Sequence, residues 1–234
     1  EIIATIKNIA PGFGGINLED IAAPRCFEIE KRLASELDIP VFHDDQHGTA
    51  IAVLAGLVNA LKVVGKNIKK IKIVVSGAGA AGIAITKLLL EYGVKNIIIF
   101  DSRSPICKRC AYNKNEAKDG IASKTNLKNF KGSLREALDG ADVFIGVSAP
   151  NLLKRDDITR MNKRAIVFAM SNPNPEISYK EAKKGGAEVV ATGRSDFPNQ
   201  VNNALVFPGI FRGALDTRTR FITDKIKIKA ALAI

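Results

Sequence analysis

The chain has 234 residues, 46% of them hydrophobic and 25% charged, and 35 Lys and Arg against 24 Asp and Glu give it a net charge of +11. These values are typical of a soluble globular protein, and no run of about 18 uninterrupted apolar residues predicts a membrane span. The basic residues are scattered and not interleaved with aromatic ones, so we expect neither a nucleic-acid nor a membrane partner.

The amino-terminal segment, residues 1–38, is predicted to be helical. Apolar residues at helical spacing run through 18–37, among them Ile21, Ile29 and Leu33, as expected for the buried face of a helix. The chain opens on Glu1 without a basic leader or a signal-peptide core, and we interpret it as the middle of a longer protein.

Residues 39–234 are predicted to form an α/β core, because strand and helix patterns alternate through them. Runs of β-branched and aromatic residues predict strands at 39–43, 71–75, 96–101, 141–145, 165–169 and 188–191. Helical patterns lie between or after them at 49–64, 80–91, 133–138, 178–184 and 201–215. This alternation is typical of a doubly wound parallel sheet, here with a preceding helix.

Residues 103–131 are polar and rich in Lys and Asn, which predicts a loop insertion. They contain Cys107 and Cys110 in a single CxxC pattern, which we interpret as ordinary loop thiols, with a structural zinc site or a redox pair as alternatives. The chain has three cysteines, and an odd count without a disulfide framework favours a reducing compartment. We therefore expect a cytoplasmic protein.

A glycine-rich turn stands between the strand at 71–75 and the helix at 80–91. It reads Gly77-Ala78-Gly79-Ala80-Ala81-Gly82. The first glycine allows a tight turn, the second lets the backbone approach a pyrophosphate, and the third allows close helix–strand packing. The helix N-terminus offers N–H groups to the phosphates. The pattern predicts a Rossmann-like dinucleotide site; a tight turn that only begins a helix is the alternative.

Two further positions are predicted to contact the dinucleotide. Asp101 ends the next strand roughly 20 positions after the glycines, where a carboxylate accepts from the adenosine ribose hydroxyls. A carboxylate there repels a 2′-phosphate, which favours NAD over NADP, although Arg103 could moderate this preference. Ser148 and Ala149, in the turn after 141–145, are candidates for the nicotinamide side, with an ordinary loop as the alternative.

Two pairs of adjacent carboxylates stand out, Glu19-Asp20 at a predicted helix start and Asp44-Asp45 at a predicted strand end. Adjacent carboxylates repel each other, so solvent, a helix N-terminus or a cation has to offset their charge. Helix capping is one interpretation. A hard divalent cation such as Mg²⁺ or Mn²⁺ is the other.

Four remaining polar residues bear on the site. His43 and His47 stand four apart, but no third imidazole or thiolate near them in the sequence would complete a zinc site. Asn172 follows the strand at 165–169, where Asn-Pro steps predict a turn and where ligands bind in this architecture. Asn203 precedes an apolar segment that would pack it inward, and amide donors suit a dicarboxylate substrate.

Four ordered motifs resemble those of bacterial-type malic enzymes. They are Phe13-Gly14-Gly15-Ile16-Asn17-Leu18-Glu19-Asp20-Ile21, Val41-Phe42-His43-Asp44-Asp45-Gln46-His47-Gly48-Thr49-Ala50, the glycine turn, and Val206-Phe207-Pro208-Gly209-Ile210-Phe211-Arg212-Gly213. The likeness runs through nearly the whole chain and weakens only in the insertion. It implies oxidative decarboxylation of (S)-malate to pyruvate and CO₂ with NAD(P) and Mg²⁺ or Mn²⁺, in a homodimer.

The resemblance also assigns roles to residues. It implies metal ligands at Glu19, Asp20 and Asp45, a charged neighbour of the catalytic centre at Asp44, and substrate contacts at Asn172 and Asn203, with Asn172 also beside the cofactor. The family's acid–base Lys and Tyr belong to an amino-terminal part with no counterpart here, which implies that residues 1–234 are the NAD-binding part and turn over little malate alone. A non-catalytic dinucleotide-binding regulatory module and a metal-independent hydroxy- or amino-acid dehydrogenase domain are the alternatives.

Overall fold

A short parallel pair of strands precedes the main sheet. The computed structural model describes residues 1–112 and 114–234. Helix α1 (Ile2–Ile9) packs on α2 (Arg25–Glu36), and α2 connects β1 (Ile16–Leu18) to β2 (Val41–His43). The prediction of helix from residue 18 is therefore wrong at its start. Leu18 is drawn into pairing with His43, and Pro24, which has no backbone N–H, immediately precedes the first residue of α2.

The segment Asp44–Gly48 forms a π-helical turn that leads directly into α3 (Thr49–Val64). The continuous stretch Asp44–Val64 is long and apolar enough to cross a membrane, but 61% of its most apolar window is buried inside the protein. Helix α3 packs against α4 (Ala80–Tyr92) and α10 (Asp224–Ala233). Its apolar length is accounted for by this burial in the core.

Five parallel strands form the main sheet, which confirms the predicted doubly wound architecture. They are β3 (Lys72–Ser76), β4 (Asn96–Phe100), β5 (Val143–Gly146), β6 (Ala165–Ala169) and β7 (Ala187–Thr192). Their spatial order is β4-β3-β5-β6-β7. Both faces of the sheet are covered, which is why most strand residues are apolar.

Helices cover the two faces of the sheet. The remaining ones are α5 (Glu116–Ala122), α6 (Leu134–Ala137), α7 (Arg155–Thr159), α8 (Tyr179–Lys184) and α9 (Phe207–Asp216). One core joins α3, α4, α5 and α10 to strand residues such as Ile73 and Val75, and a second joins α6, α7 and α8 to Val74 and Phe144. Alternate residues of one strand thus point into different cores.

The insertion at 103–131 is more structured than predicted. It contains α5, and Cys107 and Cys110 form a disulfide, so the interpretation as ordinary loop thiols is wrong in this structure. Cys107 is buried, and the Ile106 N–H donates to Ile99 O on β4 at 2.8 Å. The insertion is therefore bound to the edge of the sheet beside the carboxyl end of β4.

Candidate functional site

The glycine turn lies at the switch point of the sheet, where β3 is flanked by β4 on one side and β5 on the other. A crevice forms in this architecture above the carboxyl ends of such strands. Gly77 has a φ of 107°, a left-handed conformation that disfavours a β-carbon. Its N–H donates to Phe100 O at the end of β4 (3.0 Å), which joins the turn to the neighbouring strand.

The other two glycines of the turn have different surroundings. A β-carbon on Gly82 would collide with the backbone oxygen of Gly77, so α4 can approach the turn only with glycine there. A β-carbon on Gly79 would meet no described atom within 4 Å, which leaves this backbone open to a ligand. No side chain of the described residues caps the amino end of α4. Its first N–H groups and positive dipole end are therefore available to an anion.

The turn after β5 adjoins the glycine turn. Ser148 Oγ lies 2.9 Å from Ser76 Oγ, and the Val147 N–H donates to Ser76 O at 2.9 Å. A β-carbon on Gly77 would meet Val147 O at 2.5 Å. Ala149 is exposed beyond this contact. The structure thus brings the two turns together at the crevice.

Glu176 is a residue that sequence reasoning missed. It is fully buried, and its two carboxylate oxygens accept from the Ser148 N–H (2.9 Å) and the Ser171 N–H (3.0 Å). Burial raises the pKa of Glu176, against the effect of these donors. A β-carbon on Gly146 would overlap the Glu176 carboxyl. One side chain therefore holds the loops after β5 and β6. The polar sequence around Glu176 gave no indication that this side chain is buried.

Asp101 lies at the end of β4, as predicted, but its carboxylate is engaged inside the protein. Oδ1 accepts from the N–H groups of Arg103 (2.8 Å) and Ser104 (3.0 Å), and Oδ2 pairs with Lys118 Nζ at 2.9 Å. The side chains of Asp101 and Lys118 are 3% and 10% exposed. A ribose hydroxyl would share these oxygens with internal donors. Lys118, in α5, was also missed, because its segment was predicted as a loop.

The two carboxylate pairs follow the carboxyl ends of neighbouring parallel strands. Leu18 and His43 are the last residues in register, so Glu19-Asp20 and Asp44-Asp45 leave β1 and β2 side by side. The placement of Glu19-Asp20 at a helix start is therefore wrong, and the pair does not cap α2. Strand topology, not helix capping, brings the four carboxylates together.

A hydrogen bond joins two residues of this acidic cluster directly. Asp20 has a φ of 57°, and its N–H donates to Asp45 Oδ2 at 2.9 Å. Desolvation, followed by the charges of Asp44, Asp45 and Asp20, raises the pKa of Glu19. The repulsion expected from the sequence is thus present in the fold.

Asp44 and Asn203 meet although 159 positions separate them in the chain. Asn203 Nδ2 donates to Asp44 Oδ2 at 2.6 Å, while Asp44 Oδ1 is buried without a hydrogen-bond partner among the described residues. Burial raises the pKa of Asp44, and the Asn203 hydrogen bond opposes this effect. The Asp44–Gly48 turn packs against both α4 and Asn203–Leu205. It therefore connects the acidic cluster to the helix that begins at the glycine turn.

The side chains of the cluster do not form a finished metal site. Across residues 1–112 and 114–234, no three His, Cys, Asp or Glu side chains are grouped so that they could hold a metal ion. Glu19 and Asp20 are exposed, whereas Asp44 is buried. A cation would have to draw Glu19, Asp20 and Asp45 together.

The two histidines have different surroundings. His47 Nε2 contacts Glu30 Oε1 at 2.8 Å, and Glu30 also accepts from Gln46 Nε2 at 3.1 Å. Burial lowers the pKa of His47, although Glu30 opposes this. His43 is fully buried; neither ring nitrogen has a hydrogen-bond partner among the described residues, and Nδ1 lies 3.9 Å from Asp45 Oδ2. The pair therefore offers no shared ligand position.

Asn172 and the tyrosines complete the set. Asn172 is exposed in the turn after β6, next to the residue that donates to Glu176. The Tyr112 hydroxyl donates to Asp119 Oδ1 at 2.6 Å, and burial together with this carboxylate raises the pKa of Tyr112 to about 12. Tyr179 stacks on Phe197. Neither tyrosine is placed in the acidic cluster.

Comparison with known proteins agrees with this geometry. A family model described as "Malic enzyme, NAD binding domain" matches residues 46–234. The chain belongs to the malic enzyme family. Over its full length it is 60% identical to the NAD-dependent malic enzyme of Geobacillus stearothermophilus, of which it covers 48%, and 52% identical to the NADP-dependent malic enzyme of Rhizobium meliloti, of which it covers 31%.

A solved malic enzyme shares the fold. The NAD-dependent malic enzyme of Thermotoga maritima superposes with a TM-score of 0.95 at 49% identity, over 100% of this chain and 62% of that one. The chain thus spans about half or less of the two curated relatives named above. The predicted malic enzyme resemblance and the NAD-binding fold are confirmed, and malic enzyme relatives of both coenzyme types match this domain.

Proposed function

We propose that the protein to which this chain belongs catalyses NAD(P)-dependent, divalent-metal-dependent oxidative decarboxylation of (S)-malate to pyruvate and CO₂. In this proposal the malic enzyme domain described here supplies the dinucleotide site and the carboxylates for the cation. The observation that carries it is the acidic cluster at the ends of β1 and β2, joined through the Asp44–Gly48 turn to α4. As in related malic enzymes of known coenzyme type, we expect NAD or NADP to be used.

The acidic cluster suits a hard divalent cation. Its donors are all oxygens, the ligands that Mg²⁺ and Mn²⁺ prefer. The buried Asp44 Oδ1 has no hydrogen-bond partner among the described residues, and desolvation, followed by the neighbouring carboxylates, raises the pKa of Glu19. A cation would relieve both costs. We assign Glu19, Asp20 and Asp45 as its ligands, with Asp44 as an adjacent charge.

The residues of this chain bind and orient in the proposed reaction. A bound divalent cation would polarise the substrate oxygen and stabilise the enolate left by CO₂. Asn203, held by Asp44, and Asn172 at the carboxyl end of β6 would donate to the substrate carboxylates. The open backbone at Gly79 and the amino end of α4 would hold the pyrophosphate, so that the nicotinamide can accept hydride. The acid–base Lys and Tyr are expected from an amino-terminal part of the parent protein.

Calorimetry on the chain tests this proposal. We expect NAD to bind with or without metal, and malate or the analogue tartronate to bind only when Mn²⁺ is present. Asp45→Asn should abolish the metal-dependent binding and leave NAD affinity unchanged. Asp38→Asn, an exposed carboxylate paired with Arg220, is the matched control. NAD binding without any effect of Mn²⁺ on malate would instead favour a metal-independent dehydrogenase domain or a regulatory module.

Turnover provides a second test. We expect the chain alone, assayed with malate, NAD and Mn²⁺, to form little or no pyruvate, because proton transfer needs acid–base groups outside the residues assigned here. Robust pyruvate formation would show that this chain contains its own acid and base.

A further inference from the structure

His43 is buried in an unusual way. Its side chain is fully buried at the end of β2, and neither Nδ1 nor Nε2 has a hydrogen-bond partner among the described residues. Leaving a buried polar group unpaired costs about 1–3 kcal/mol. An apolar residue at this position would avoid that cost. The imidazole therefore has two buried polar atoms that a partner in another state of the site would satisfy.

The geometry around the ring identifies that partner. His43 Nδ1 lies 3.9 Å from Asp45 Oδ2, just beyond hydrogen-bond distance. The same Asp45 Oδ2 already accepts the Asp20 N–H at 2.9 Å. On the other side, Glu30 accepts the backbone N–H of His43, and the Glu30 carboxylate is occupied by His47. Asp45 is thus the acceptor that a small movement would bring into contact.

We propose that His43 is a positioning residue for Asp45: on cation binding, its Nδ1–H donates to Asp45 Oδ2. With Oδ2 held by His43 and by the Asp20 N–H, Asp45 Oδ1 is left as the ligand atom. Carboxylates that ligate metals are commonly oriented by such hydrogen bonds, and removal of one typically weakens metal binding 10- to 100-fold. This inference rests on the proposed function, because it assigns Asp45 to the cation.

Thr86 provides a matched comparison within the chain. It is fully buried in α4, and its Oγ1 also lacks a hydrogen-bond partner in the described part of the chain. Like His43 it has an unpaired buried polar atom, but among the described residues it makes no hydrogen bond to the acidic cluster. If an unpaired buried polar atom were only a defect of packing, the two residues would respond alike to apolar substitution.

The experiment compares four variants of the chain, with Mn²⁺ affinity measured by electron paramagnetic resonance of the free ion. His43→Leu should weaken Mn²⁺ binding about 10- to 100-fold. It should not lower the thermal midpoint of the metal-free chain, because no hydrogen bond is lost. His43→Asn, whose amide nitrogen stands where Nδ1 does, should retain most of the affinity. His43→Gln, whose amide nitrogen corresponds to Nε2, should behave like His43→Leu.

The controls distinguish a failure of the proposed His43 role from a failure of the proposed cation site. Thr86→Val should leave Mn²⁺ affinity unchanged, and all variants should bind NAD as the unsubstituted chain does. Unchanged Mn²⁺ affinity in His43→Leu, or retention by His43→Gln with loss in His43→Asn, would overturn the role of His43 while leaving the cation site intact. Absence of saturable Mn²⁺ binding in the unsubstituted chain would overturn both this role and the metal part of the proposed function.

Discussion

At the scale of single residues, the carboxylate of Glu176 holds two loops at once. It accepts from the N–H groups of Ser148 and Ser171, which follow β5 and β6. Both loops lie at the carboxyl ends of the strands, where the dinucleotide is proposed to bind. The position of Ser148 next to the glycine turn thus depends on a side chain from a third place in the sequence.

Glu176→Gln tests this arrangement. A glutamine has one oxygen and one NH₂ group, so one of the two N–H donors loses its acceptor, which should reduce the free energy of unfolding by about 1–3 kcal/mol. NAD affinity should fall because Ser148 is no longer held. Denaturant unfolding and calorimetry measure the two effects. Glu188→Gln, an exposed glutamate on β7, should change neither; equal effects of both substitutions would contradict the role of Glu176.

Alanine substitution at Gly82 and at Gly79 should have different effects on stability. Gly82→Ala places a β-carbon against Gly77 O, so we expect a lower thermal midpoint together with loss of NAD binding. Gly79→Ala meets no described atom within 4 Å, so stability should be retained while NAD affinity falls, because the methyl group occupies the approach to the pyrophosphate. Unchanged NAD affinity in Gly79→Ala would remove the turn from the proposed site.

At the scale of elements, apolar patterns predicted the sheet well and the short or polar elements poorly. All five strands of the main sheet occur within two residues of their predicted bounds, because most of their residues are apolar and buried. The strand β1 has only three residues, and its pairing with β2 cannot be inferred from local pattern. Helix α5 was missed because polar residues dominate its sequence, and only Lys118, Ile121 and Ala122 are buried in it.

The same limits apply to the candidate site. Glu19, Asp20, Asp44 and Asp45 could be named from the sequence, but their proximity follows from the register of β1 and β2, which no local signal contains. A hydrogen bond joins Asn203 to Asp44, and an ion pair joins Lys118 to Asp101. Each links separate segments of the chain whose contact depends on the completed fold.

The ion pair between α5 and β4 leads to a prediction about coenzyme choice. Lys118 neutralises Asp101 beside the predicted ribose position. Lys118→Met removes a positive charge from beside this carboxylate, so NADP affinity should fall more than NAD affinity, because the more negative surroundings repel the 2′-phosphate. Lys118→Arg, which keeps the positive charge, is the control. Dissociation constants for both coenzymes measure the effect, and an unchanged ratio would mean that Asp101 and Lys118 do not face the ribose.

At the scale of the whole molecule, a charged cluster at the amino end of the sheet lies opposite the crevice at its carboxyl end. Asp142 precedes β5 at the amino end, where its carboxylate accepts from Lys66 Nζ (2.9 Å), the Lys72 N–H (2.8 Å) and Asn162 Nδ2 (2.9 Å). Burial opposes ionisation of Asp142, but these three donors lower its pKa below the ordinary value. The cluster joins the start of two neighbouring strands.

Asp142→Asn should therefore destabilise the protein without altering the crevice. We expect a loss of about 2 kcal/mol in the free energy of unfolding at neutral pH. Because the folded pKa is lowered, the carboxylate stabilises the fold above its unfolded value of 3.8 and loses this effect as pH falls through the folded value. The difference between the two proteins should thus shrink in acid. Unfolding measured across pH tests the sign, and NAD affinity should stay constant.

The strands that position the proposed cation ligands and those that position the proposed coenzyme turn belong to two different sheets. Within the described residues β1 and β2 pair only with each other, so Glu19 and Asp20 depend on residues 1–43, whereas the nucleotide turn depends on strands that begin at Lys72. A chain shortened to begin at Ile39 would keep every strand of the larger sheet and forfeit two of its four clustered acids. Under the proposed assignment, loss of the small sheet would remove cation ligands while leaving every strand of the coenzyme site in place.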